Sequence, residues 1–475
     1  MTFVTVPINI TGPSYQSRSK PLSSQQTKNW YQQLTDSGKE QFVLMPFPGL
    51  KLIGAGAGGL KDRGFYRMSE VLYQVKGTVL YEILADGTHI SRGTIEGTKR
   101  CIMAGDGVNL FIVVPNEKVW QYITDTNTIV EVTNVNITGA QSIDYINNQF
   151  LYTFPEFTVV SDVGNGAEAS GLNIIAEETL PDEMVRDFVF EEVIYRCGVR
   201  SIVGWYNSGV GSPPIEKLQG RIFSTGLSAL HSIAKSDEAF YWLGDDNAIY
   251  RAQGGAKDRV STDAISNSIR GFDVTSDAIG FTYTMQGQNF YTITFPSANK
   301  TFTINESLGS NGWFELSSGT SDGKWQASSV ISAYGENYAA DIANGNVYML
   351  DLETYTNNGD TLQRTRVTTN INGDLLNAKG KRTQMSRMEL IMETGVGVAS
   401  GQGDNPRIMI EASYDGGRSW SHGTWAKTGR LGEFVIKVEW FSLRTFLDLM
   451  VRVSSSDPVN YSIYSGTIDL RLAGK

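Results

Sequence analysis

Histidine and cysteine are nearly absent from this chain, with three of the first and two of the second in 475 residues. Cys101 and Cys197 lie too far apart to form a CxxC metal motif, and two thiols make no disulfide framework. Both read as buried free thiols. His89, His231 and His422 are well separated and fit no HExxH or other clustered ligand set. Metal chemistry and histidine-based acid–base catalysis therefore lack their usual residues, and no catalytic, cofactor-binding or metal-ligating residue is assigned. Charge is also sparse: Asp, Glu, Lys and Arg make up 19% of the chain, against about 25% in an average soluble domain. The balance is acidic, at −10, which argues against a general nucleic-acid coat. No apolar run approaches the ~18 residues of a membrane span. The opening Met1-Thr2-Phe3-Val4-Thr5-Val6-Pro7 has no basic region followed by an apolar one, so no secretory signal is read. These absences point to synthesis and folding in a reducing cytosol, where the sequon Asn136-Ile137-Thr138 is a chance match.

What the chain has instead is glycine (50 residues) and aromatic rings, including 21 Tyr and 21 Phe. Hydrophobic content is 40%, enough for a sizeable core. Helical patterns are few. Ser261–Arg270 opens on a Ser N-cap and sets Ile265 and Ile269 on one face, and residues 23–34 offer a second short candidate. Most other segments alternate apolar and polar residues between Asp-Gly, Asn-Gly or Pro breaks, as hairpins do.

A hairpin pattern recurs seven times. It reads VLYQVKGTVLYEI around Tyr73 and Tyr81, LFIVVPNEKVWQY around Phe111 and Trp120, FLYTFPEFTVV around Tyr152, and IYRCGVRSIVGWY around Tyr195 and Trp205. FYWLGDDNAIY around Tyr241 and Tyr250, FYTITFPSANKTFTI around Tyr291 and Phe302, and YAADIANGNVYML around Tyr338 and Tyr348 complete it. The leading aromatics step by 38, 41, 43, 46, 50 and 47 residues, bracketing the ~40–50-residue period of propeller blades. Radial stacking buries both faces of each blade, which one four-stranded sheet cannot do alone. The alternative is a β-sandwich with evenly spaced hairpins, since no Trp-Asp blade signature recurs. The sequence therefore predicts an all-β chain: a short N-terminal segment (1–58), a six- or seven-bladed β-propeller (59–375) and a C-terminal β-sandwich (376–475). An inserted loop is expected at about 163–190, where Gly164, Gly166, Ala167, Glu168 and Ala169 precede Glu177, Glu178, Asp182 and Glu183. The sandwich strands are placed at Met388–Glu393, Arg407–Ser413, Glu433–Val438, Leu449–Ser454 and Thr467–Leu472.

Motifs that elsewhere carry chemistry read here as structural. Gly54, Gly56 and Gly59 match GxGxxG, but no helix follows to meet a pyrophosphate. Gly319-Thr320-Ser321-Asp322-Gly323 matches GxSxG, but residues 324–334 read as strand where a nucleophile elbow needs a helix. Ser413, Asp415, Gly417, Ser419 and Trp420 match the Asp-box of sialidases and other propeller hydrolases, a hairpin device in which the Asp caps turn donors and the Trp packs beneath. Arg196, Arg200, Arg221 and Arg251 are available for a sialidase-type arginine cluster, though no spacing singles them out. The adjacent acids Glu177-Glu178, Glu191-Glu192 and Asp245-Asp246 read as solvated edges or turns. A sialidase-like or carbohydrate-binding propeller is the alternative function that these motifs leave open.

The order of features resembles the tail hub, or nozzle, proteins of short-tailed bacteriophages, also called packaged-DNA stabilisation proteins or tail accessory factors. Asn29-Trp30-Tyr31 followed by Pro46-Phe47-Pro48-Gly49-Leu50 is similar to the family's N-terminal pattern. The first blade from Arg63-Gly64, the stretches Arg186-Asp187-Phe188 and Asp237–Arg251, the short helix 262–270 and the terminal unit with Tyr414-Asp415-Gly416 also fit. The glycine-rich run 54–59 and the 163–185 insert have no counterpart in that pattern. The resemblance implies a non-enzymatic virion protein of the phage tail, made in the host bacterial cytoplasm. It also implies a hexameric ring below the portal and its adaptor, which extends the DNA channel and retains the packaged genome. Such a ring docks tailspikes or fibres and a needle or plug, and lets double-stranded DNA pass without sequence-specific binding. On that reading, part of the excess acid is expected to line the channel wall and repel phosphates.

Overall fold

The seven aromatic hairpins of the repeat form the second and third strands of seven four-stranded antiparallel units. Their leading rings, from Tyr73 to Tyr338, all lie in second strands and are at most 4% exposed. In this computed structural model every residue is described except 1, 15, 17, 18, 21, 22, 36–40, 55–58, 177–181, 212, 442, 443, 474 and 475. Blade 1 comprises Asp62–Met68, Val71–Lys76, Val79–Ile83 and His89–Thr94; blade 2 runs from Ile102–Gly105 to Thr128–Glu131. Blade 3 spans Ser142–Ile146 to Ile174–Ala176, blade 4 Met184–Phe190 to Ile215–Phe223, and blade 5 Ala234–Lys235 to Ala256–Arg259. A unit from Ile279–Met285 to Trp313–Glu315 follows, and then Ala327–Ala333, Glu336–Asp341 and Val347–Asp351. The fourth strand of that last blade comes from the far end of the chain: Gly49–Gly54 pairs antiparallel with Val347–Asp351, with Leu50 opposite Leu350.

First strands of successive units adjoin around a ring, and Ala327–Ala333 returns to meet Asp62–Met68. Blades 4 and 5 join through the rings of Phe188, Phe190, Tyr195 and Phe240. Six four-stranded sheets are free-standing blades. The seventh unit, Ile279–Glu315, is shared: its outer strand runs parallel to Gln26–Lys28, which pairs with Arg364–Val367. That sheet continues through Asp448–Ser455 and Arg407–Ser413 to Thr424–Lys427, ten strands in all. The expectation of six or seven blades is met in both senses, as six separate sheets and one unit fused to the sandwich.

The second sandwich sheet has seven strands and draws on both ends of the chain. Trp30–Leu34, Phe42–Pro46, Ile463–Leu472, Thr383–Met392 and Val438–Phe441 lie in that order, and Val4–Ile8 pairs with Ile463–Leu472. Between the two sheets Trp30, Met388, Ile408, Leu449, Val453 and Ile468 are buried. The helix expected at 23–34 is instead two strands, Gln26–Lys28 and Trp30–Leu34, separated by Asn29 at φ 55°. Asn tolerates this left-handed conformation, which re-aims the chain between sheets. Trp30 and Tyr31, adjacent on a strand, then face opposite ways. Trp30 enters the sandwich core and donates Nε1–H to the Tyr461 carbonyl at 3.0 Å. Tyr31 enters the propeller among Phe47, Phe290 and Phe314. Gly49 lies so close to the next turn that a Cβ would stand 2.1 Å from the Thr356 carbonyl oxygen.

Other differences are local. The expected insert at 163–190 contains the outer strand of blade 3 (Ile174–Ala176) and the inner strand of blade 4 (Met184–Phe190). Asp187, within the expected insert, is buried, accepts a hydrogen bond from Thr153 and pairs with Arg196 at 3.4 Å. The short helix is present at Asp263–Arg270, but Thr262 caps it, while the Ser261 hydroxyl bonds that of Ser266. The strand placed at Glu433–Val438 begins only at Val438 and runs to Phe441.

Candidate assembly surfaces

The structure keeps the chemistry-bearing residues apart. His89 lies on the outer strand of blade 1, His231 beside the propeller axis and His422 on an exposed sandwich loop. Among the described residues, no group of three or more His, Cys, Asp or Glu side chains is gathered to hold a metal. Cys101 and Cys197 are both buried, and burial pushes the Cys101 thiol up to about 12. Ser321 sits on an exposed bend beside Asp322, which pairs with Lys28 at 2.8 Å. Of the GxGxxG glycines, Gly54 ends the closing strand of the last blade, and Gly56 lies outside the described residues.

The Asp-box spends its polar atoms on itself. One Asp415 carboxylate oxygen accepts the backbone N–H groups of Arg418 and Ser419, each at 2.9 Å. The same carboxylate accepts the hydroxyls of Ser413 and Ser419, and these bonds hold it well below the usual carboxylate range. The Trp420 ring lies beside the turn, with its edge 3.7 Å from where a Cβ on Gly417 would stand, and the Arg452 guanidinium covers the ring at 4.5 Å. Ser24 closes the far side by donating to the Gly416 carbonyl at 2.9 Å. The turn belongs to the sandwich and serves as a seat for the N-terminal segment. Three of the four candidate arginines are engaged with different partners, Arg196 with Asp187, Arg251 with Glu306 at 2.8 Å, and Arg221 against Tyr195 and Gly255, while Arg200 is exposed. Asp245 and Asp246 cap the backbone N–H groups of Gly226 and Ala248. Glu191 and Glu192 form an exposed hairpin turn, and Glu177 and Glu178 lie outside the described residues.

What the surface offers instead is exposed apolar area. Thr424–Lys427 and Val438–Phe441 are the open edge strands of the two sandwich sheets, and they adjoin. Trp440, buried, ties them together by donating Nε1–H to the Thr424 carbonyl at 3.0 Å. Around them Trp425, Leu431 and Phe441 are exposed, Phe434 is 68% exposed and Val435 fully so. Unpaired strand edges beside exposed large apolar side chains mark a docking surface. Sequence reasoning missed it because Glu433–Val438 alternates like an ordinary strand. A second exposed apolar region follows the outer rim of blades 2 to 4, at Val130, Val135, Val163, Leu172 and Val210. No helix among the described residues is long and apolar enough to cross a membrane.

Comparison with known proteins gives two family matches, in chain order. The family described as bacteriophage P22 Gp10, beta-propeller, matches residues 4–355. The family described as bacteriophage P22 Gp10, beta-sandwich, matches residues 369–471. No curated protein matches the sequence. Among solved structures, a crystal structure of RRP9 WD40 repeats is similar at 10% identity and a TM-score of 0.42, covering 64% of this chain and 99% of that one.

Proposed function

The chain belongs to the bacteriophage P22 Gp10 family of structural phage tail proteins, and from that premise we propose that it is the hub of a short tail. In this role it assembles as a hexameric ring below the portal and its adaptor, extends the DNA channel and retains the packaged genome. The ring presents seats for tailspikes or fibres and for a needle or plug, and performs no catalysis. The observation that carries this reading is the succession of propeller and sandwich matches over nearly the whole chain. Projection images of the virion tail with the protein labelled test it: density in the ring under the portal is expected, and labelling elsewhere in the particle overturns it. Turnover of a fluorogenic sialoside would overturn the non-enzymatic reading in favour of the hydrolase alternative.

Ring closure needs two different surfaces on each subunit, because a head-to-tail contact is not self-complementary. The open sandwich edge around Phe434 and Val435 is suited to one half, and the outer rim of blades 2 to 4 to the other. Phe434→Asp with Val435→Asp is expected to leave the circular dichroism spectrum unchanged and to abolish ring formation on the adaptor, read by sedimentation. Unaltered rings would move the interface elsewhere. The acidic balance also has a place in this reading. Carboxylates facing the ring lumen would repel phosphate and let DNA slide, whereas a basic wall would retain it.

A further inference from the structure

The propeller axis holds a cavity of about 450 Å³, walled by the inner strands. Arg67, Arg100, Arg186, Lys235 and His231 line it, and the described lining contains no aspartate or glutamate. This is a concentration of positive charge inside a chain of net charge −10. Two carboxylates outside the lining neighbour these cations, Asp62 and Asp144. Asp62 takes Arg100 at 3.1 Å and the Ser328 hydroxyl at 2.7 Å. Asp144 accepts the backbone N–H groups of Tyr145 and Val189 at 2.8 and 3.0 Å; it also lies in the field of Lys235 and Arg186, but forms no hydrogen bond or ion pair with either, and burial pushes its carboxyl up.

The cations differ in how well they are satisfied. Arg100 is fixed by Asp62 and the Ser328 carbonyl, and Arg67 donates to the Ser332 carbonyl at 2.8 Å. Arg186 has only a long contact of 3.5 Å to the Leu230 carbonyl, and its Nε is buried without a hydrogen-bond partner. Lys235 has a similarly long contact, 3.4 Å to the Val189 carbonyl. Both lie over one ring, Phe188, at 5.7 and 5.9 Å. His231 faces Arg100 and Arg186, and burial together with these two charges holds its imidazole neutral. A buried guanidinium N–H without an acceptor is unfavourable, and the guanidinium fork matches the paired oxygens of an oxyanion.

We propose that this axial cavity binds a small phosphate-class oxyanion, held by Arg186 and Lys235 above Phe188, with Arg100 and Arg67 supplying further positive potential. A DNA duplex is too wide to enter, so the site is distinct from any contact with the genome.

Calorimetric titration of the full chain with inorganic phosphate, at ionic strength held constant with chloride, tests it. One saturable site per chain is expected, with a thermal midpoint that rises with phosphate concentration. Arg186→Met with Lys235→Met is expected to weaken binding by about tenfold or more, the loss of a charge-assisted contact. Lys381→Met, on an exposed turn, serves as a control and is expected to bind as the parent does. If the double variant misfolds, Lys235→Met alone decides, since that side chain is exposed and its removal leaves no buried gap. Absence of a saturable site, or equal binding by the variants, overturns the proposal. Duplex DNA at equal phosphate concentration is expected not to displace the anion, and displacement would place the site on the outer surface and overturn it too.

Discussion

Asn29, Trp30 and Tyr31 are consecutive in the chain and serve three neighbourhoods. The Asn29 side chain donates to the carbonyls of Gln363 and Ser317, at 2.7 and 3.1 Å, and accepts the Ser317 N–H at 3.0 Å. Replacing it with Gly keeps the left-handed backbone but strands these buried groups, so a loss of about 1–3 kcal/mol is expected in urea unfolding. Trp30→Ala removes a fully buried indole from the sandwich core and is expected to cost about 3–5 kcal/mol. His231 supplies a pH test. Its pKa is lowered by burial and by Arg100 and Arg186, so the unfolded chain binds the proton more tightly than the folded one. Its contribution is therefore fully present above the unfolded value of about 6.5 and is lost progressively as pH falls from there toward the lower folded value. His231→Gln is expected to flatten the fall in urea midpoint between neutral and mildly acidic pH, and an unchanged slope would exclude the residue. His89, also lowered by burial, contributes a slope of the same sign.

Among the elements, the closing strand Gly49–Gly54 matters most for the ring, because it covers an edge of the last blade that would otherwise be open. Gly49→Val drives a side chain into the Thr356 carbonyl and is expected to release this strand. Limited proteolysis within Gly49–Gly54 should then accelerate relative to the parent. The repeat made the blades legible because each second strand carries an aromatic ring at the sheet interface, and burial there selects for it. Other elements were hidden for physical reasons. Gln25, Gln26 and Gln32 around Trp30 mimic an amphipathic helix, and only the turn at Asn29 makes strands of the segment. The inner strand of blade 4 follows the small and acidic stretch that suggested an insert and carries the charged pair Arg186 and Asp187, although Asp187 is buried against Thr153, Thr158 and Arg196. The axial cations come from four separate stretches of chain, so no linear motif announces them.

At the scale of the molecule, propeller and sandwich share a ten-stranded sheet, and two buried arginines sit in its joining strand. Arg366 donates to the Gly12 carbonyl at 2.7 Å and to Thr27, and burial pushes its guanidinium down to about 10. Arg364 reaches the carbonyls of Phe47 and Tyr355, each at 3.4 Å. The joint is thus built from N-terminal residues lying on C-terminal strands. A fragment of residues 59–375 is expected to aggregate on size-exclusion chromatography, since it lacks Gly49–Gly54 and bares the edge at Val347–Asp351; a stable monomer would refute that dependence.

This interleaving of chain ends has a consequence in time. On the ribosome, the strands at 4–8 and 49–54 emerge early, and each waits for a partner made hundreds of residues later: 463–472 for the first, 347–351 for the second. Pairings of such long sequence separation are slow to form and come late in folding. The propeller is not sealed until residue 351 has been made, nor the sandwich until residue 472. The nascent chain therefore cannot offer a finished docking edge, and premature association during translation is disfavoured by the order of synthesis itself.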